Sequence, residues 1–309
     1  MSTVFTCPKC GKSCQCDRPL SMGPVTCWAC GFEVFVPSSN PDSARRRPVH
    51  SRPDSDTIAA VGKDGDHETQ VLLQAMSEAM ECIHPERREA IDAHMQQYLG
   101  DDPFVFHEII STTVHLDIFV FRPTPERDYF TLVTQGMSDR AMTVQTGDED
   151  SRYAELMIYL PPDWPLQALH QAPTVSGDGS EDDEEEDPPH YWPIHWLKLL
   201  GRFPHEYDTV FHASETVGSE DSSDALGPGT RLSGFVLLPP PEEDGFEMLT
   251  LPDGEKVNFY ALMPIYPEEM KFRFKHSSTE LIEKLGDADV SVIIDPQRRN
   301  VCKKKWGLF

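Results

Sequence analysis

Two Cys-x-x-Cys-Gly units constrain the fold of this chain more than any other feature. Cys7 and Cys10 form the first pair, and Cys27 and Cys30 form the second, with sixteen residues between the pairs. Four thiolates in a tetrahedral arrangement are the ligands of a structural Zn²⁺, and so short a segment has too small a core to fold without one. The spacing therefore predicts a zinc ribbon over residues 1–37 that holds one structural Zn²⁺.

The other cysteines leave alternatives to this ligand set. Cys14 and Cys16 lie between the two pairs, so a set that recruits either of them, or disulfide pairing, is also compatible with the spacing. Cys82 and Cys302 stand alone, and we expect buried or inert thiols there. Because six of the eight cysteines fall within residues 7–30, the pattern disfavours a disulfide framework and indicates a reducing cytoplasm.

The bulk composition is that of a soluble globular protein, with 39% hydrophobic and 26% charged residues in 309. No basic and apolar leader and no run of apolar residues long enough for a membrane span is present, so we expect neither a secretion signal nor a membrane segment. The net charge is −25, and residues beyond position 60 carry 20 Lys/Arg against 47 Asp/Glu. Such an acidic body repels nucleic acid and attracts basic partners, although the charge could also serve solubility alone.

The chain is organised around a flexible linker and two polar inserts. Residues 38–66 are rich in Pro, Ser, Gly and charge, which predicts the linker. Residues 174–189 contain seven consecutive acidic residues and predict a disordered insert, read either as a solvated spacer or as a lure for a basic partner. Residues 214–229 form a second insert, and residues 303–309 form a basic tail.

The body between these segments, residues 67–302, mixes helices and strands. One helix is expected from His67 and a second from Pro85 to Gly100, because apolar residues recur at helical spacing. Further helices are expected over residues 193–203 and 278–285. Strands are expected over residues 114–121, 129–135, 154–160, 231–238, 256–264 and 291–294. Without regular βαβ alternation, this order predicts an α+β fold, a mixed sheet with packed helices.

Catalytic motifs do not emerge. His67, His107 and His205 are each followed by Glu, but none has the second histidine of a helical zinc-protease motif. His190 and His212 flank the same helix at spacings that do not share one helical face, so the histidines of this region are expected to be structural or exposed. Since no nucleophile, base and orienting group can be named together, the sequence favours a protein that is not an enzyme.

Several long segments resemble the bacterial suppressor of fused family. The resemblance covers residues from about 86 to 302, in order. It is carried by Tyr129-Phe-Thr-Leu-Val-Thr-Gln-Gly-Met-Ser-Asp-Arg140, Tyr153-Ala-Glu-Leu-Met-Ile-Tyr-Leu-Pro-Pro-Asp-Trp164, Trp192-Pro-Ile-His-Trp-Leu-Lys198, Arg202-Phe-Pro-His-Glu-Tyr-Asp208, Leu232-Ser-Gly-Phe-Val-Leu-Leu-Pro239, Tyr260-Ala-Leu-Met-Pro-Ile-Tyr-Pro-Glu-Glu-Met270, Ile294-Asp-Pro296 and Asn300-Val-Cys302. The ribbon and the two inserts depart from the family pattern.

The resemblance implies a non-enzymatic protein-binding module. Bacterial members look like immunity proteins that neutralise a cognate toxin, often a basic nuclease, and the acidic body suits such a partner. The alternative is a regulatory scaffold that sequesters a transcription factor or another cellular protein. In either case the ribbon would be a second contact or delivery element. Within the motifs, Ser138, Asp139 and Arg140 are interpreted either as exposed contact residues or as a satisfied turn.

Overall fold

The chain divides into two compact units in a computed structural model. One unit comprises Met1–Gln74 with Tyr207–Thr209, and the other comprises Ala75–Glu206 with Val210–Phe309. The structure describes residues 65–108, 111, 113–166, 188–218 and 224–303, together with the backbone of four short strands in the first 34 residues. The boundaries expected for the ribbon, linker, body and basic tail stay predictions. Most of the acidic insert at 174–189, like residues 219–223 of the second insert, lies outside the described residues.

The four N-terminal strands form two hairpins with the same design. Strand β1 (Thr3–Thr6) pairs antiparallel with β2 (Ser13–Cys16), and β3 (Val25–Thr26) pairs antiparallel with β4 (Glu33–Val34). The innermost pairs are Thr6 with Ser13 and Thr26 with Glu33, so six residues connect the strands in each hairpin. Each connection carries one Cys-x-x-Cys-Gly unit in the same position of the sequence.

Five α-helices follow in chain order among the residues that the structure describes. Their bounds are α1 Gly65–Glu81, α2 Pro85–Leu99, α3 Trp192–Glu206, α4 Pro267–Lys275 and α5 Ser278–Gly286. Helix α2 begins with proline, whose missing N–H costs nothing at that position, and it ends before Gly100, whose φ is 106°. Four expected helices are confirmed: the one from His67, the one from Pro85 to Gly100, and those over residues 193–203 and 278–285.

The central sheet has eight strands. They are β5 Phe104–Phe106, β6 Asp117–Phe121, β7 Phe130–Gln135, β8 Tyr153–Leu160, β9 Thr216–Val217, β10 Gly234–Leu238, β11 Met248–Thr250 and β12 Lys256–Ile265. Their order is β5-β6-β7-β8-β12-β10-β9, with β11 also paired to β12. Among the described strands, β8 and β12 alone pair in parallel, so the sheet is mixed. The strand expected at residues 291–294 is reduced to one parallel bridge between Tyr159 and Ile293.

Apolar side chains cover both faces of this sheet because β6, β7 and β8 are buried on both sides. On one face, Leu132 and Ile158 pack with Leu197 of α3. On the other face, Val133 and Met157 pack with residues of α2. A third cluster joins the ends of β10 and β12 to α4 and α5. This arrangement, a mixed sheet with helices packed on both faces, confirms the α+β class.

Candidate functional site

The predicted zinc ligands cannot be placed. Cys7, Cys10, Cys27 and Cys30 lie outside the described residues, while Cys14 and Cys16 belong to a strand described only by its backbone. Residues with described side chains contain no group of three or more His, Cys, Asp or Glu side chains that could hold a metal ion. The paired hairpins would bring the two ends of each Cys-x-x-Cys-Gly segment together, as a ribbon requires. The zinc site stays a prediction.

A fully buried carboxylate organises the turn that follows β7. Glu155 is the third residue of β8 and is 0% exposed. Its Oε1 accepts hydrogen bonds from the N–H of Gly136 (3.0 Å), the N–H of Ser138 (3.1 Å) and the Ser138 hydroxyl (2.6 Å). Its Oε2 accepts the hydroxyl of Thr134 at 2.6 Å. Burial raises the pKa of Glu155 to about 7, although these hydrogen bonds act in the opposite direction.

Two arginines of α2 hold the same turn from the other side. Arg87 donates to the Ser138 carbonyl at 2.5 Å and to Glu255 at 2.6 Å. Arg88 pairs with Asp139 at 2.6 Å and donates to the His115 carbonyl at 2.7 Å. Guanidinium groups suit this task because several donors project from one rigid plane.

The turn is therefore a buried, satisfied element and not a contact surface. Ser138 is 1% exposed and Asp139 is 4% exposed, while Arg140 is half-buried. Of the two interpretations of these residues, the satisfied turn is correct. The reason is that the hydroxyl and the carboxylate that looked exposed in the sequence are bound by Glu155 and Arg88.

A histidine of α3 closes the network. The Nε2 of His205 contacts the carbonyl of Met137 at 3.0 Å, and its Nδ1 is buried without a hydrogen-bond partner. The carbonyl can only accept, so Nε2 carries the proton and Nδ1 is bare. Burial lowers the pKa of His205 to about 4. The ring is thus a neutral donor, and the expectation of a structural histidine fits this position.

One row of side chains superficially resembles a hydrolase triad. The Ser111 hydroxyl lies 2.9 Å from His115 Nδ1, and His115 Nε2 lies 3.5 Å from Asp117. However, the hydroxyl donates its proton to Glu108 at 2.5 Å, and Glu108 is itself bound by Arg202. A serine whose proton points to a carboxylate away from the histidine is not activated for attack. Ser111 is also only 5% exposed, so the row serves to hold the loop before β6.

A second buried ion pair fixes the end of the described chain. Glu269 is 0% exposed and pairs with Arg298 at 2.5 Å. The same carboxylate accepts the N–H of Tyr266 at the start of α4 and the N–H of Val301, both at 2.9 Å. Arg298 also donates to the carbonyl of Pro264 at 2.9 Å. These contacts tie residues 298–301 to α4 and β12.

His212 is the one sequence-noted histidine that lies between two carboxylates in the described part of the body. Its Nε2 is 2.8 Å from Asp148 and its Nδ1 is 3.1 Å from Glu215. Burial alone would lower the pKa of His212, but the hydrogen bonds to Asp148 and Glu215 outweigh it and raise the pKa. The contact links two surface loops.

What remains open to a partner is the acidic surface. Asp101, Glu126, Asp128, Glu243 and Asp244 are exposed, and none of them has an ion pair within the described ranges. The loops that carry them meet at the C-terminal end of α2. Within this group, Arg127 donates to the Leu99 carbonyl at 3.0 Å, and Glu242 accepts the Tyr159 hydroxyl at 2.7 Å. Among the described residues, the charged groups around Glu155 and Glu269 are engaged in contacts within the chain, with Arg87 Nε and Glu242 Oε1 buried without a hydrogen-bond partner, whereas these five carboxylates are exposed.

Sequence reasoning did not find the buried charges, although one signal was present. Glu155 is the single charge in the apolar strand β8, and an isolated carboxylate in such a run indicates a bound one. Arg87 and Arg88 gave no comparable signal, because paired arginines on a helix usually face solvent.

Comparisons with known proteins relate this chain to one family. The family model described as "Suppressor of fused protein (SUFU)" matches residues 112–299. A crystal structure of a SUFU homologue from Neisseria gonorrhoeae has 18% identity and a TM-score of 0.48, covering 71% of this chain and 98% of that chain. A Sufu-Fu complex has 12% identity and a TM-score of 0.49, and the match covers 70% of this chain and 93% of that chain.

Drosophila Suppressor of Fused has 13% identity and a TM-score of 0.49, and the match covers 70% of this chain and 51% of that chain. No curated protein sequence gives a significant match. None of the described helices combines the length and the apolar character needed to cross a membrane. Because the family model spans more than half of the residues, this chain belongs to the suppressor of fused family.

Proposed function

We propose that this chain is a protein-binding regulatory scaffold that sequesters a cellular protein. Membership of the suppressor of fused family carries this proposal, since proteins of this family are regulatory binding proteins and not enzymes. The closed interior network supports it, because Glu155, Arg88 and Glu269 are all engaged in holding backbone segments. The partner would therefore bind at the surface of the protein. The cytoplasmic location expected from the cysteine usage is part of the same proposal.

The test is recovery and reconstitution of a partner. The tagged full chain is purified from its own cells under reducing conditions, and the retained protein is identified, expressed and titrated against the chain by calorimetry. A scaffold should bind that protein at a fixed stoichiometry in the absence of any toxin. A chain that retains nothing reproducible, or whose retained protein does not bind when purified, would contradict the proposal.

A second candidate is an immunity protein that neutralises a basic toxin. The net charge of −25 favours it, since an acidic inhibitor associates rapidly with a basic nuclease and covers its nucleic-acid site. Co-expression separates the two candidates. Toxins encoded beside this gene should arrest growth alone and fail to do so with the chain present; if none is relieved, the immunity function is ruled out for those toxins.

We also propose that the N-terminal segment contributes one structural Zn²⁺ bound by Cys7, Cys10, Cys27 and Cys30. Four thiolates would close the coordination sphere and leave no open position for catalysis. In a scaffold of this kind the ribbon would act as a second contact or as a delivery element.

A further inference from the structure

Strand β11 has a neighbour on one side only. It pairs with β12, and no other strand of the described chain adjoins it. The N–H of Phe259 donates to the Glu247 carbonyl at 2.9 Å, and the N–H of Leu251 donates to the Glu255 carbonyl at 2.8 Å. In an antiparallel ladder such bonds alternate along the strand, so Met248 and Thr250 direct their backbone groups away from β12.

These outward groups form an open edge. No hydrogen bond of the described residues uses the backbone N–H or C=O of Met248 or Thr250. Both residues are exposed, and Met248, at 39%, is one of four large apolar residues that are exposed in the described part of the chain. An unpaired edge is a template for another strand, and natural proteins usually block it with lysine, proline or a covering loop. No lysine or proline lies within β11 itself, but the strand is only three residues long and Pro252 occupies the next outward-facing position after Thr250. Met248 and Thr250 are therefore the outward backbone groups that a partner strand could use.

The loop segments on either side of β11 carry one sign of charge, whereas Lys256, which lies opposite Thr250 on β12, is paired with Asp150. Residues 232–255 contain no lysine or arginine. Glu243, Asp244, Glu247 and Asp253 are exposed at the two ends of β11, and no ion pair involving them occurs among the described contacts. Such a border favours a strand that brings positive charge and disfavours a second copy of this acidic edge.

The loop that carries most of these carboxylates is held rigidly. The ring of His94 stacks on Phe246 with centroids 5.1 Å apart, and its Nε2 contacts the Phe246 carbonyl at 3.0 Å. Phe246 is fully buried and also packs against Phe259 of β12. Because packing around Phe246 anchors the backbone of this loop, a partner strand would not have to order that backbone on binding.

We propose that the open edge of β11 binds an extended, lysine- and arginine-rich segment of the partner protein by strand addition. Backbone hydrogen bonds to Met248 and Thr250 would supply the register, and Glu243, Asp244 and Glu247 would select for positive charge. The inference rests on the proposed function, since it names the surface and the chemistry of the partner.

The experiment uses a labelled peptide, acetyl-Lys-Val-Lys-Thr-Lys-Val-Lys-amide, and measures its fluorescence anisotropy with the full chain at low salt. A second peptide of the same sequence has its five central amides N-methylated, so it keeps the charge but loses those five backbone N–H donors. The test variant is Glu243→Gln/Asp244→Asn/Glu247→Gln. The matched control, Glu283→Gln/Asp287→Asn/Asp289→Asn, changes the net charge equally around α5.

A third variant, Thr250→Pro, tests the edge without changing charge. The N–H of Thr250 points away from β12, so proline removes an outward donor and leaves the β11–β12 ladder intact. We expect the unmethylated peptide to bind the unaltered chain, and the test triple and Thr250→Pro each to weaken binding by about tenfold or more. The control triple should stay within about twofold of the unaltered chain.

Several results would overturn the proposal. Equal weakening by both triples, or equal binding of the methylated peptide, would mean that charge alone attracts the peptide. Absence of any peptide binding would overturn it too, as would concentration-dependent self-association that Thr250→Pro abolishes, since the edge would then belong to a second copy. If the identified partner binds Thr250→Pro and the test triple with unchanged affinity, the edge proposal fails while the proposed function stands.

Discussion

At the scale of single residues, Glu155 sets the character of the interior. It accepts four hydrogen bonds but faces no cation among its contacts, so its charge is compensated by dipoles only. Burial raises its pKa to about 7, against 4.5 for an exposed glutamate. Between these two values the folded chain binds a proton that the unfolded chain does not. The free energy of unfolding therefore rises as the pH falls through this window.

Glu155→Gln tests this directly. The amide keeps an acceptor for Gly136 and Ser138 but cannot titrate, so the stability gained on acidification should disappear. The free energy of unfolding of the unaltered chain minus that of the variant should increase by about 3 kcal/mol from pH 7.5 to pH 4.5. Urea denaturation at a series of pH values measures this difference. A difference that is flat across the range would contradict the assignment.

His205 should act in the opposite direction. Its pKa is lowered to about 4 in the folded chain, so below pH 6.5 the unfolded chain takes up a proton that the folded chain refuses. Stability contributed by neutral His205 is full above pH 6.5 and declines towards pH 4. His205→Gln, which can still donate to the Met137 carbonyl, should remove about 3 kcal/mol of this acid sensitivity. The same urea denaturation series measures this effect. The free energy of unfolding of the unaltered chain minus that of the variant should fall on acidification, opposite in sign to the change expected for Glu155→Gln.

At the scale of elements, the turn between β7 and the 3-10 helix Met137–Asp139 depends on glycine. Gly136 has a φ of 117°, and a Cβ added there would lie 2.0 Å from the His115 carbonyl oxygen. That oxygen is fixed by Arg88, so it cannot retreat without breaking a charged hydrogen bond. The element is thus specified by backbone conformation and by a close approach of two loops.

Gly136→Ala should cost more than about 3 kcal/mol of unfolding free energy, since backbone strain and a clash with a fixed carbonyl add together. Gly147→Ala is the matched control, because Gly147 also has positive φ, at 94°, but has open space at the Cβ position. It should cost only about 1–2 kcal/mol, the strain alone. Thermal or urea unfolding compares the two, and equal losses would show that the contact with His115 is not the cause.

The elements also show where sequence patterns succeed and fail. The long strands β7, β8 and β12 were predictable, because a buried strand needs an unbroken apolar run. Helix α4 was missed since Met270, Phe272 and Phe274 alternate with Lys271, Arg273 and Lys275, a period typical of a strand. The helix forms because Pro267 suits its first turn and Glu269 binds the Tyr266 N–H. The three-residue strands β5 and β11 are too short to show a period.

At the scale of the whole molecule, pairing between distant segments could not be read from the sequence. Strand β12 lies beside β8 in parallel, with about a hundred residues between them, and this contact makes the sheet mixed. The α+β class followed from the order of elements, but the neighbours of each strand depend on packing against α2 and α3. The candidate network was hidden for the same reason, since Glu155 and Arg88 are meaningful only once their partners are in place.

The zinc prediction tests whether the two parts of the chain fold independently. Protein purified under reducing conditions should contain one Zn²⁺ per chain, and Cys7→Ser/Cys27→Ser should lose it, because two thiolates cannot hold the ion tetrahedrally. A chelator should unfold residues 1–37, whose core is too small to persist without metal, while the thermal unfolding of residues 67–302 stays unchanged. Cys82→Ser/Cys302→Ser is the control and should retain full zinc. Absence of zinc in the reduced protein would refute the ribbon, and loss of zinc from Cys14→Ser/Cys16→Ser would transfer the site to the alternative ligand set.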